Sequence, residues 1–156
     1  MKTRIILSLF LALVFAPIIS YATMYEVPDD SMLTVSVGDN APLTTPALQK
    51  AHADGKAIVL MFGSPNNDIA SEKTWMSINQ IAPKFARDAA AFTIDYRGED
   101  FGRPSAEAAE LARQYGVIGA PWVFVIDKTG VVTHVYIGKA GTKELDAELS
   151  RITGRN

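Results

Sequence analysis

Cysteine is absent from all 156 residues. A chain without a thiol forms no disulfide, offers no thiolate nucleophile and carries no lipid through a cysteine. Histidine is almost as scarce, with His52 and His134 alone. Neither stands at ligand spacing from a second histidine, a carboxylate cluster or a thiol, so no metal site is expected and His52 reads as a surface or rim residue. Surplus positive charge is lacking too. Fifteen Lys and Arg face seventeen Asp and Glu, for a formal net charge of −2, and the two signs are interspersed. No nucleic-acid partner is expected of such a surface.

Long apolar runs are confined to the N-terminus. Lys2 and Arg4 precede a run from Ile5 to Ile19, and Ser20-Tyr21-Ala22 supplies the small residues a signal peptidase reads. The run is short for a membrane span of roughly 20 residues. Residues 1–22 are therefore expected to be a cleaved secretory signal, which leaves no stable membrane anchor. Cleavage takes away Lys2 and Arg4 and no acid, so the mature chain is two charges more negative. The product is expected to be exported, and periplasmic if the source is a diderm bacterium.

Residues 23–43 read as an N-terminal arm, with a candidate edge strand where Leu33, Val35 and Val37 alternate with polar neighbours. From 44 to 156 the chain reads as one domain. Thr45 and Pro46 have the chemistry of an N-cap and a first helical position, and Asp54-Gly55 closes that helix. The stretch Ala57 to Phe62 is continuously apolar, as in a strand buried on both faces. It breaks at Gly63-Ser64-Pro65-Asn66-Asn67 and resumes with helical spacing to about Arg87, with Ile69, Trp75, Ile78, Ile81, Ala82 and Phe85 expected inward and Pro83 expected to kink the helix. A strand over 90–96, a helix from Ser105 to Tyr115, a hairpin of Trp122 to Ile126 and Val131 to Ile137 about Asp127-Lys128-Thr129-Gly130, and a last helix capped by Thr142 complete the series. That order of elements is α/β and calls for helices on both faces of one sheet.

These elements, with Tyr115-Gly116-Val117-Ile118-Gly119-Ala120-Pro121 ahead of a hairpin and Gly138 behind it, resemble the thioredoxin family over roughly Thr44 to Ile152. The resemblance implies a three-layer fold with a central mixed β-sheet flanked by helices. It also implies a cis-proline at Pro121 facing the N-terminus of the helix after the central strand. Aligned on Phe62, it places Asn67 and Ala70 where the family carries its two redox cysteines, Asn66 on the preceding tryptophan and Met61 on the buried acid. A second alignment through Ile81-Ala82-Pro83 puts Trp75 and Ile78 on the cysteines, needs an insertion and a deletion, and recovers no thiol either. Disulfide exchange needs an attacking thiolate, so thiol–disulfide oxidoreductase activity of the chain's own is excluded.

What remains is the groove that the resemblance implies, lined by Gly63, Ser64, Pro65, Asn66, Asn67 and Asp68 on one side and Gly119, Ala120, Pro121 and Trp122 on the other. A helix N-terminus with Asn and Asp is satisfied by capping alone. The family groove adds backbone pairing with an extended client, which needs no cysteine. The expected role is therefore to bind a protein or peptide, with no catalytic residue, no cofactor and no metal. The rival expectation is an accessory factor or divergent enzyme of thiol handling, of the thioredoxin or glutathione type, whose catalytic cysteines are lost or lie on a partner. Ser64 as a nucleophile would need a histidine partner, and no motif supplies one.

Overall fold

A computed structural model describes residues 35–97 and 102–155. The residues expected to form the signal, most of the N-terminal arm and part of the loop before the third helix lie outside the described residues. The elements run α1 (Pro46–Ala53), β1 (Ala57–Gly63), α2 (Ile69–Phe85), β2 (Ala89–Asp95), α3 (Ala106–Tyr115), β3 (Trp122–Ile126), β4 (Val132–Ile137) and α4 (Thr142–Thr153). The four strands form one mixed sheet in the order β2-β1-β3-β4, parallel between β1 and β2 and antiparallel across the other two pairs.

β1 lies inside this sheet, and all seven of its residues are buried. Side chains of a strand alternate between faces, so Ile58, Leu60 and Phe62 enter one core and Val59 and Met61 the other. The first core takes Leu48 and Ala51 of α1 with Leu111, Ala112 and Tyr115 of α3. The second takes Ile78, Ile81 and Phe85 of α2 with Leu145 and Leu149 of α4. Two helices on each face give the three-layer α/β architecture that is thioredoxin-like.

Local chemistry ends the elements where the residue types demand. Thr45 accepts a hydrogen bond from the Leu48 N–H at 3.3 Å with Pro46 behind it, and Ser105 accepts one from Ala108 at 3.1 Å. α3 stops at Gly116, whose φ of 70° is open to glycine without the Cβ clash other residues meet. Asp127 Oδ1 accepts from the N–H groups of Thr129 and Val131 and from the Thr129 hydroxyl, closing the β3–β4 turn.

Three expectations change. Val35 to Gly38 form a bend and turn rather than a strand, with Val35 buried and Val37 exposed; Leu33 lies outside the described residues. The segment still joins the domain through an Asn40–Val131 bridge and a Gly38 N–H to Val132 O bond, and Val35, Ala41 and Leu43 pack on the first core. α2 begins at Ile69, not Asn67, and turns Ile69 and Trp75 outward, because Ser71, Thr74 and Ser77 fill the inward stripe. The cap of α4 is Gly141, with no side-chain bond; Thr142 is the first helical residue and donates instead to Gln80 Oε1. Pro83 lies inside α2, as the sequence placed it, and the helix runs on to Phe85.

Phe62, Tyr115 and Phe124 form an aromatic triangle with centroids 4.8 to 5.9 Å apart, and Trp122 packs on Phe124. Tyr115 is fully buried; burial pushes its phenol pKa up, and its hydroxyl has no hydrogen-bond partner among the described residues. An unpaired buried hydroxyl costs about 1–3 kcal/mol. Tyr115→Phe is expected to raise stability by about 1 kcal/mol, while Phe62→Ala lowers it by about 3–5 kcal/mol. Urea denaturation midpoints of the two variants check both signs.

Candidate functional site

The candidate site forms where β1 ends and α2 begins. Ser64, the first residue after β1, is buried and wholly engaged. Its hydroxyl donates to Asp95 Oδ1 at 2.6 Å and accepts from the Arg97 N–H at 2.9 Å, and its carbonyl accepts from the Asn67 N–H at 2.9 Å. Ser64 thus straps the β1–α2 loop to the end of β2. It has no histidine at hand. His52 packs by Gly130 in the β3–β4 turn, at the other end of the sheet, and His134 is exposed on β4. The Ser–His arrangement that nucleophilic catalysis by Ser64 would use is therefore not formed.

Pro65, Asn66 and Asn67 make the turn, with Asn66 fully outward, and Asp68 caps α2. The Asp68 carboxylate accepts from the Ser71 N–H at 2.8 Å. Its pKa is held below the ordinary carboxylate range, first by the Ser71 side chain beside it, then by backbone N–H groups and the charge of Arg97, against a smaller opposing effect of burial. Ala70 sits half-buried in the first turn of the helix.

Gly63 shows why the loop leaves the sheet here. A Cβ at this position would stand 2.5 Å from the tip of Met61 and 2.9 Å from Ser71 Oγ. With no Cβ at this position, Ser71 of α2 lies close against the end of β1.

The second wall is reached through the sheet. Phe62 pairs with Trp122, the last pair of that antiparallel register, so Gly63 and Pro121 are the residues next along each strand. The Ala120–Pro121 peptide is cis. Trp122 is buried in the first core and is not part of any exposed surface. Its backbone pairs with Ile137, and Gly138 N–H donates to Pro121 O at 2.8 Å. Ile137, with almost half its surface exposed, and Gly138 therefore border Pro121, although the sequence marked Gly138 only as the end of a strand.

Of the expected groove residues, Gly63 to Asp68 run from the end of β1 toward α2 and Gly119 to Pro121 lead into β3, the antiparallel neighbour of β1, so both segments lie at the same end of the sheet. Concavities of about 730 Å³ between α1, β2 and α3, and of about 670 Å³ by Tyr96, Arg97 and Arg113, are lined by other residues. Among the described residues no three His, Asp or Glu converge as a metal group, and no helix is long and apolar enough to cross a membrane.

The architecture is that of a thioredoxin-like α/β domain, and its lack of cysteine makes it inactive in thiol–disulfide exchange. Among solved structures it is similar to the C-terminal domain of a putative thiol-disulfide oxidoreductase of Bacteroides thetaiotaomicron, at TM-score 0.59 and 16% identity over 79% of this chain and 99% of that one. It is also similar to a putative thiol:disulfide interchange protein DsbE of Chlorobium tepidum, at 0.54 and 20% over 78% and 99%. A third similar structure is the exposed lipoprotein thioredoxin of Streptococcus pneumoniae, at 0.52 and 18% over 63% and 86%. No family model matches the chain, and no curated protein matches its sequence.

Two outcomes follow from the loop. Gly63→Ala overpacks the contact with Met61 and Ser71 and is expected to cost about 2 kcal/mol, read as a lowered urea midpoint. Asp68→Ala removes a helix cap and is expected to cost about 1 kcal/mol at pH 7. Because the folded-state pKa of Asp68 is depressed, its contribution is present above the unfolded pKa and is lost as pH falls through the folded one. The gap between wild type and Asp68→Ala is therefore expected to close below about pH 4, measured by denaturation at stepped pH.

Proposed function

We propose that this is an exported protein that holds an extended segment of a protein or peptide partner on the shelf between the N-terminus of α2 and Pro121. The observation that carries the reading is the pairing of a complete frame with an empty chemistry. The Ser64–Asp95 strap holds the end of β1, Gly138 holds Pro121 on the neighbouring strand, and the positions that the resemblance assigns to redox cysteines are Asn67 and Ala70. Main-chain pairing supplies affinity without a reactive group, and the Ala120 backbone beside Pro121 is the group proposed to supply it.

Export rests on the charged, apolar and small-residue succession of residues 1–22. One similar structure is itself described as an exposed lipoprotein. With no cysteine, this chain does not share that mode of attachment.

Photo-crosslinking tests the reading. The protein, expressed with its own N-terminus, carries a photoreactive residue at position 67 or, as control, at position 147 on the exposed side of α4. A discrete partner captured from position 67 alone, and lost in a folded Pro121→Thr variant, is the expected result. Equal background from both positions removes the shelf as a binding site. Mass spectrometry of the exported product is expected to find Thr23 at its N-terminus.

A further inference from the structure

Besides Ile69 in its first turn, α2 exposes two large apolar side chains that take no part in either core, Trp75 at 43% and Met76 at 56%. They border a shallow depression of about 600 Å³ between α2 and the loop joining β4 to α4, lined also by Lys73, Asn79, Gln80 and Lys139. No carboxylate contributes to this lining. Lys73 and Lys139 have no acidic partner among the described residues, whereas Lys84 farther along the same helix is paired with Asp146 at 2.8 Å. Two unpaired ammonium groups beside an aromatic ring and a methionine call for an occupant of opposite charge that also brings apolar surface.

The floor of the depression is fixed beforehand. Ala140 N–H donates to the buried Thr74 Oγ1 at 3.2 Å, and Thr142 Oγ1 donates to Gln80 Oε1 at 3.2 Å, so the loop carrying Lys139 is pinned to the helix carrying Trp75. Preformed sites lose less entropy on binding. The depression is tied to the shelf through the chain itself: Lys139 directly follows Gly138, whose N–H donates to Pro121 O at 2.8 Å.

We infer that the depression is a docking surface for the continuation of an extended partner peptide, one in which an apolar side chain is flanked by carboxylates. The inference rests on the shelf reading: a strand lying along Pro121 comes to Lys139 and Trp75 within a few residues, at about 3.3 Å per residue. The apolar side chain lies on Trp75 and Met76, and the carboxylates meet Lys73 and Lys139. A lipid surface is the weaker fit. Two lysines supply about 1 kcal/mol each toward an anionic bilayer, and the surface is concave.

The test uses the full-length protein and fluorescein-labelled nonapeptide pools with a fixed central Phe, flanked on both sides by Glu, by Lys or by Ser, the remaining positions randomised. Fluorescence anisotropy is expected to show the Glu pool binding at least tenfold more tightly than the Lys pool. The double variant Lys73→Glu with Lys139→Glu is expected to reverse that preference, and Trp75→Ala to weaken the Glu pool about tenfold, all with unchanged denaturation midpoints because these side chains are exposed. Equal affinity for the Glu and Lys pools, or indifference to the charge reversal, overturns the inference. Asn67→Trp, which fills the shelf, separates it from the earlier reading. Binding lost in Asn67→Trp but indifferent to the charge reversal leaves the shelf and removes the depression. Binding retained in Asn67→Trp but lost on charge reversal does the opposite. Lysine-dependent binding to vesicles of equal phosphatidylglycerol and phosphatidylcholine at 0.15 M salt, with no preference among the peptide pools, overturns it in favour of a membrane.

Discussion

Everything in this fold hangs on one strand that water never reaches. β1 is hydrogen-bonded on both edges, to β2 and to β3, and buried on both faces. Its alternating side chains divide the interior into two cores, which is why α1 and α3 are committed to one face and α2 and α4 to the other. Burial of an aliphatic side chain is worth about 1.5–3 kcal/mol, and β1 presents several in succession. A domain without disulfides depends on such a core for its stability.

The end of the same strand is where apolar packing gives way to polar fitting. After Gly63 the chain is held by the hydroxyl of Ser64, and the inward side of the first half of α2 consists of Ser71, Thr74 and Ser77. These residues are small or hydrogen-bonded for identifiable reasons. Ser71 leaves room for the close approach at Gly63, and Thr74 accepts the Ala140 N–H from a loop 66 residues away. The helix is thereby drawn tight against both β1 and the loop after β4, and the residues that would ordinarily be its apolar stripe are left facing outward.

Much of this was legible in the chain. The unbroken run at 57–62, the Thr45-Pro46 start, the Gly116 stop and the hairpin about Asp127 to Gly130 each carry a local signal whose physics does not depend on the rest of the molecule. The inward face of α2 was legible in its second half, where Ile78, Ile81 and Phe85 are buried, but not in its first, because hydrophobic periodicity selects Ile69 and Trp75, whereas the stripe there is Ser71 and Thr74, chosen by Gly63 and by the distant Ala140. The same holds at the candidate site. Gly63 to Asp68 and Gly119 to Pro121 could be named from the strand-to-helix junction and the proline segment. That Ile137 and Gly138 border Pro121 depends on the β3–β4 register, and that Trp122 is sealed in the core depends on its contact with Phe124. Neither is a property of any short stretch of sequence.

Met61 is fully buried directly before Phe62, one turn of chain from the shelf. With a thioether there and no thiol above it, the junction holds no dithiol–disulfide couple. On the proposed reading, a partner lying there leaves by dissociation and competition, and the thiol–disulfide balance of its surroundings does not set how long it stays.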